Sequence, residues 1–471
     1  MSTAHPSATG LTRRLAAFAI GCRHEPLPPD VTERAKALLL DTLAAAYGAR
    51  SFVPSGAVLA DGLGSLGLGQ GGASVLGDSR DWSPLAAALV NGALAHGMDM
   101  DDTFLASPVH PSAVLVPAAL AAAEMVGADG ATTLRALVAG YEGLCRIARA
   151  MAGTGHIERG FHQTATVGVF GAAITAGLIL GLDQTQLESA LGIAGSQAAG
   201  SIQFAANGAW NKTFQVGAAA MNGLLAANLA RSNFLGASDV LEGRHGFLNA
   251  YGDGAHHEAL IAELGQRWDT LQIGVKPYPC CRCSHPVLDG VLRLRAEHGI
   301  QASDVVGVSL GISSYATRIV GSELPAVWRP TTTVEAQFSL PFVTAAALID
   351  GRMGWEQYTL VGSAAVQTLI DATTLMVDPE AERNHPQHWS ARVAIATSGG
   401  TFETFIKTPL GEPETFPDMA ATRAKFETYA EPALGAAAGA IALRLSRLEG
   451  EKDLRDLTHV LRGEFASRTG G

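Results

Sequence analysis

From Val167 to Leu182, and again from Val216 to Ala230, the chain is built almost wholly of small and apolar residues. A surface helix confines its apolar residues to one stripe. These runs need partners on every side, so they read as central helices of a bundle whose backbones approach closely. The composition carries the same message: 54 glycines, 47% hydrophobic residues and only 6% aromatics. Charged residues make up 16%, against roughly 25% in an ordinary globular protein. So little charge leaves little surface to keep soluble, which predicts a large buried subunit interface and a homodimer. These proportions exclude a disordered chain.

The formal net charge of −11 argues against nucleic acid as a partner, since phosphate binding needs a basic face. Every strongly apolar window is interrupted by polar residues, so no membrane span is expected. Arg23, His24 and Glu25 cut short the first apolar run, and no signal-peptide cleavage pattern follows. Five cysteines are an odd number, and Cys280, Cys281 and Cys283 are nearly adjacent. That is no disulfide framework, and a cytoplasmic protein is expected.

Local signals outline the organisation. Pro28, Pro29 and Asp30 open a helix with Val31, Ala35, Leu38, Leu39 and Leu43 on one face. Ser83-Pro84 starts another that runs through Ala87, Val90, Leu94 and Met98. Asp183 and Gln186 make a capping box. Near Trp268 the pattern changes: Val306, Val308, Leu310 and Ile312 alternate as a strand, and Val334 to Asp350 is helical up to Gly351. Val393 and Ile395, a turn at Ser398-Gly399-Gly400, then Phe402, Thr404 and Ile406 read as a hairpin. The expected fold is mostly α with an inserted α/β part. A helical domain spans 1–270, a smaller α/β lid 271–410, and C-terminal helices over 411–471 return to the first domain.

Four polar clusters interrupt this apolar background. His96-Gly97-Met98-Asp99-Met100-Asp101-Asp102-Thr103, followed by His110, would put His96, Asp99 and Thr103 on one helix face. A solvated helix end with capping aspartates explains the run as well. His162 opens a small-residue helix and is either its cap or a reactive group. Lys212 sits at a helix start, where a cation is electrostatically wrong for the helix itself. It fits if both serve an anion such as a carboxylate, or if the side chain simply points to solvent. In Lys276-Pro277-Tyr278-Pro279-Cys280-Cys281-Arg282-Cys283-Ser284-His285, the alternate spacing of Cys281, Cys283 and His285 is poor for a metal. A functional thiol near Lys276 and Arg282 is favoured, because cations lower a thiol pKa; a buried, inert cysteine is the alternative. Gly67, Gly69 and Gly72 match the dinucleotide-loop spacing but follow no strand pattern and open no helix.

Taken together, the clusters resemble the MmgE/PrpD family, which includes 2-methylcitrate dehydratase, cis-aconitate decarboxylase and iminodisuccinate epimerase. The resemblance rests on Asp41-Thr42-Leu43, on Asn91 to Thr103 with His110-Pro111-Ser112, and on Gly160-Phe161-His162. It rests further on Asn211-Lys212-Thr213, Lys276-Pro277-Tyr278-Pro279 and Phe338 to Gly351, in the family's order. It implies a helical domain with an α/β lid, a homodimer and a small polycarboxylate substrate. Asp99, Thr103, His110, His162, Lys212, Lys276 and Tyr315 match pocket positions of the decarboxylase branch. At Cys281 that branch has a histidine. The epimerase branch shares the cysteine and has a closer spacing from Thr103 to His110.

Reactions of this family make or quench a carbanion beside a carboxylate, so cations must stabilise charge where it accumulates. The expectation is a cofactor-independent lyase, dehydratase or decarboxylase, with no metal. His162 and His110 would be base and acid, Asp99 would orient a histidine, and Cys281 would transfer protons. Lys276 and Lys212 would hold the carboxylate, with Arg282, Thr103, Tyr315, His96 and His285 as further contacts. An epimerase of an imino- or aminodicarboxylate is the alternative, and a non-catalytic binding protein a third reading.

Overall fold

The computed structural model describes residues 10–463 except 105, 152, 154, 207, 254 and 255. The chain divides into two compact units. The first holds the residues up to Gly97, Asp101–Ile273, and those from Asp418 onward; the second holds Met98–Met100 and Gly274–Pro417.

In the first unit the two small-residue runs form the helices Gln163–Ile179 and Asn211–Arg231, which pack on each other. Pro84–Ala95 lies against Asn211–Arg231, while Pro111–Val126 and Gly130–Ala150 lie against Gln163–Ile179. A Cβ added to Gly92 would stand 2.7 Å from Cα of Gly217, and one on Gly223 only 2.3 Å from the Cβ of Ala172. Larger side chains would force these helices apart, which is why the runs are so poor in them. Met419–Leu434 packs along Pro29–Phe52, bringing the end of the described chain into the same unit. The capping box of Asp183 and Gln186 forms as expected.

The expected geometry around His96 fails in two ways. The Ser83-capped helix stops at Ala95 instead of running through Met98. His96 leaves helical geometry, and Asp99 adopts a left-handed backbone with φ 55°. His96, Asp99 and Thr103 therefore do not share a helix face; Thr103 begins the short strand Thr103–Phe104. The glycine-rich stretch leads into a small antiparallel hairpin, Ala73–Val75 with Asp78–Trp82, turning at Gly77 with φ 65°. Trp82 and Val75 anchor it in the core.

The second unit contains a four-stranded sheet in the order Thr373–Val377, Val305–Ile312, Ala391–Thr397, Gly400–Ile406. The first pair is parallel and the others antiparallel, the last two being the expected hairpin. Helix His285–His298 covers this sheet, packing Val287, Leu288, Val291 and Leu294 with Val308, Leu310, Val393 and Ile395. The expected helix from Val334 is two helices, Thr333–Gln337 and Leu340–Asp350. Ser339 accepts the Phe342 N–H and Pro341 occupies the first turn, so a new helix starts there. Among the described residues, no helix is long and apolar enough to cross a membrane.

Candidate active site

Helix ends assemble a histidine cluster in the first unit. His96 follows the last turn of Pro84–Ala95, His110 precedes the first turn of Pro111–Val126, and His162 precedes that of Gln163–Ile179. The His96 ring lies edge-on to His110 at 4.8 Å and stacks on His162 at 5.9 Å. Asp101 joins the first two, its Oδ2 standing 2.6 Å from His96 Nδ1 and 3.4 Å from His110 Nδ1. The carboxylate in contact with His96 and His110 is thus Asp101, whereas Asp99 meets Lys276. The chain turns between these two aspartates, and they fall in different units. Sequence reasoning missed Asp101; its place in an aspartate doublet within an apolar context could have drawn attention to it.

Electrostatics here follow from burial. Desolvation pulls His96 down to about 4, reinforced by Lys212 and His110 and opposed by Asp101. His162 is driven well below the usual histidine range by burial, with His96 and Lys212 adding to it. Burial works against ionisation of Asp101, but His96 and His110 outweigh it and hold the carboxyl well below its ordinary value. The rings of His96 and His162 are therefore neutral at neutral pH. Gln215 donates its amide N–H to the Ser201 carbonyl at 2.9 Å, so its Oε1 faces His162 Nδ1 at 2.9 Å as an acceptor. This puts the imidazole proton on Nδ1 and a lone pair on Nε2. His96 likewise gives its Nδ1 proton to Asp101, and its buried Nε2 has no hydrogen-bond partner among the described residues. Both rings can act as bases. Lys212, second residue of Asn211–Arg231, is half-buried and close enough to shift both histidines. Thr103 is half-buried in its short strand.

The second unit gathers the remaining candidates. Lys276 is 2% exposed, and its Nζ donates to the Asp99 carbonyl at 3.0 Å and lies 3.3 Å from the Asp99 carboxylate. Gln337 donates to the Met98 carbonyl at 2.9 Å and accepts the Cys281 N–H at 3.0 Å, tying the two segments together. Arg282 was expected beside the thiol. Its guanidinium is turned to Glu412 at 2.6 Å, the Val275 and Leu410 carbonyls, and His285 Nδ1. His285 is fully buried with Nε2 on the Cys280 carbonyl, and burial with Arg282 and Lys276 holds it well below the usual range. Tyr315 stacks on His385 at 4.9 Å; burial first, then Cys283 and Cys281, pushes its phenol up to about 12.

Cys281 is half-buried, whereas the other four cysteines are buried. Its interaction with the Cys283 thiol lowers its pKa and Lys276 helps, against burial and the Asp99 charge. Burial pushes Cys22 up to about 12 and raises Cys145 and Cys280 well above the ordinary thiol value. Iodoacetamide should therefore modify Cys281 first, read by mass spectrometry of peptides that resolve Cys280, Cys281 and Cys283. Equal labelling of Cys281 and Cys145 would contradict this assignment.

His96, Asp101 and His110 are, among the described residues, the group whose ligand atoms lie close enough for a metal, all within 4.8 Å. The 2.6 Å contact between His96 and Asp101 is a formed hydrogen bond, which a cation would have to displace.

A mostly helical unit with histidines and carboxylates buried at its helix ends, joined to a smaller α/β unit, defines a two-part class of proteins. Within it, the chain belongs to the MmgE/PrpD family. The family's N-terminal domain matches residues 13–259 and its C-terminal domain residues 278–447. The chain is 29% identical to a cis-aconitate decarboxylase of Aspergillus terreus over 445 residues, 87% of each protein. It is 30% identical to the cis-aconitate decarboxylase-like protein oryM of Aspergillus oryzae over 428 residues, 85% of this chain and 86% of that one. Human cis-aconitate decarboxylase is 29% identical over 357 residues, 72% of this chain and 71% of its own.

Proposed function

We propose that the protein is a cofactor-independent lyase that acts on a small di- or tricarboxylate, making or quenching a carbanion beside a carboxylate. The observation that carries this reading is the pair of buried neutral imidazoles, His96 and His162, beside the ionised Asp101 and in the field of Lys212. The relatives named cis-aconitate decarboxylase support the decarboxylase form of it.

Loss of CO₂ leaves an electron pair on carbon that must receive a proton, and a neutral imidazole has only a poor one to give. A bound polycarboxylate brings two or three negative charges beside the rings and raises their pKa, so a proton enters with the substrate. His162 or His110 then delivers that proton, Asp101 stabilises the imidazolium, and Lys212 offsets the substrate's charge. In a dehydratase the same neutral base would instead remove the proton. Lys276, Asp99 and Cys281 are proposed as the functional residues of the second unit.

One observation favours a second reading. Cys281 stands where the decarboxylase pattern has a histidine, and a thiol beside Lys276 can return a proton as an epimerase requires. Incubation with a panel of polycarboxylates in D₂O, followed by proton NMR, separates the two. We expect an alkene product or CO₂ from at least one of them. Deuterium incorporation without net turnover would establish the epimerase, and silence across the panel would overturn both.

A further inference from the structure

Asp102 follows Asp101 and is fully buried, and its hydrogen bonds run to Ser112. Its carboxyl accepts the backbone N–H of Ser112 at 3.1 and 3.2 Å and lies 2.5 Å from Ser112 Oγ. That hydroxyl continues to the Tyr141 hydroxyl at 2.7 Å. The first amides of a helix have no acceptor within the helix, and the residue before the first turn usually supplies one from its side chain. In Pro111–Val126 that residue is His110, which makes no such bond, and Pro111 has no N–H. Ser112 therefore carries the first free amide of the helix, and Asp102 satisfies it from outside. This releases the His110 side chain to face Asp101.

We propose that Asp102 is a positioning residue for the histidine cluster, holding the start of the His110-bearing helix so that His110 and Asp101 keep their register. The geometry is a two-point grip. Residues 101 and 102 hold residues 110 and 112, one carboxylate on a ring and the next on an amide. The proposal rests on the acid–base reading of the cluster given above.

The charge on Asp102 decides which substitution is conservative. Asp101 faces it along the chain and Asp41 from Pro29–Phe52, while Tyr141 and Cys145 face it from Gly130–Ala150. Lys425 is committed to Asp41 at 2.6 Å. Burial first, then the Asp101 and Asp41 charges, drive Asp102 well above the carboxylate range, against its bonds from Ser112. Burial thus favours the uncharged form of this side chain, and asparagine is the conservative replacement: its amide can accept the Ser112 N–H and donate to Ser112 Oγ.

The test compares Asp102→Ala, Asp102→Asn and Ser112→Ala in the full chain. Turnover is read on the substrate the panel identifies, and the imidazole ¹⁵N shifts of His110 are followed against pH. Asp102→Ala should lower kcat by about a hundredfold with KM nearly unchanged, as expected when a reacting group is misplaced by about 1 Å. It should also move the His110 resonances, and Asp102→Asn should restore both. Ser112→Ala should shift His110 in the same direction with a smaller loss. The proposal is overturned if His110 keeps its spectrum in Asp102→Ala and Ser112→Ala, or if Asp102→Asn is as damaged as the alanine variant. Should Asp102→Ala not fold, the other two variants decide. Because the NMR readout needs no turnover, it stands even if no polycarboxylate proves to be a substrate.

Discussion

Asp101→Asn should cost about three orders of magnitude in kcat/KM while leaving the fold intact, because the amide keeps the side chain's shape and removes its charge. Asp101 is fully buried, and its Oδ2 stands next to Nδ1 of both His96 and His110. In water an imidazolium is stabilised by solvent; here the Asp101 carboxylate replaces that solvation. Asparagine can still accept the His96 Nδ1 proton, yet it cannot balance a ring that has just taken a second one. Asp101 opposes the burial that pulls His96 down to about 4, so without it that pKa falls further. Where neutral His96 is the base, the acid limb of the kcat/KM profile, where that base becomes protonated, should then move to lower pH. The measurement is a pH–rate profile with circular dichroism as the control for folding. A variant within tenfold of the parent would remove Asp101 from the chemistry.

Lys276→Met should lose turnover and stability together, for two separable reasons. The ammonium and the Asp99 carboxylate are both almost wholly buried, 2% and 5% exposed, and 3.3 Å apart. Removing one partner of such a pair leaves the other charged and unsolvated, at a cost of about 3–5 kcal/mol. The same ammonium also donates to the Asp99 carbonyl, in a residue held at positive φ. The segment 98–100 should therefore exchange its amide hydrogens faster in the variant. Lys276→Arg should recover little, since a planar guanidinium does not put one nitrogen on both oxygens in the way a compact ammonium does. In the double variant Asp99→Asn/Lys276→Met the orphaned charge is gone. Stability should return, judged by hydrogen exchange and denaturation midpoint, while kcat/KM stays down at least a hundredfold. Recovery of turnover in the double variant would make Lys276 a counter-ion of Asp99 alone, with no part in handling substrate.

What the amino-acid order determined by itself is whatever depends on near neighbours. The small-residue helices, the Ser83 and Asp183 caps, the alternation of Val308, Leu310 and Ile312, and the hairpin around Ser398-Gly399 are set by periodicity and by side chains within a few residues. The family could also be read there, because its polar clusters interrupt apolar helices at recognisable places. The partners of those clusters could not. Asp99 and Asp101 are two residues apart, yet one is bound by Lys276, 177 positions along the chain, and the other by His96 and His110. Helical periodicity put Asp99 on the face of His96, but the helix ends at Ala95 and the left-handed backbone of Asp99 breaks that periodicity. Arg282 next to Cys281 looked like the cation that would activate it, but a long side chain goes where buried acceptors are unsatisfied, here Glu412 and two carbonyls. Which nitrogen of His162 is free depends on Gln215, 53 residues away, and on the Ser201 carbonyl that fixes that amide. Protonation states, tautomers and ion pairs are set by burial and by distances of a few ångströms in space. Only the packed tertiary structure brings those about, by closing helix ends and loops over groups that must then find each other.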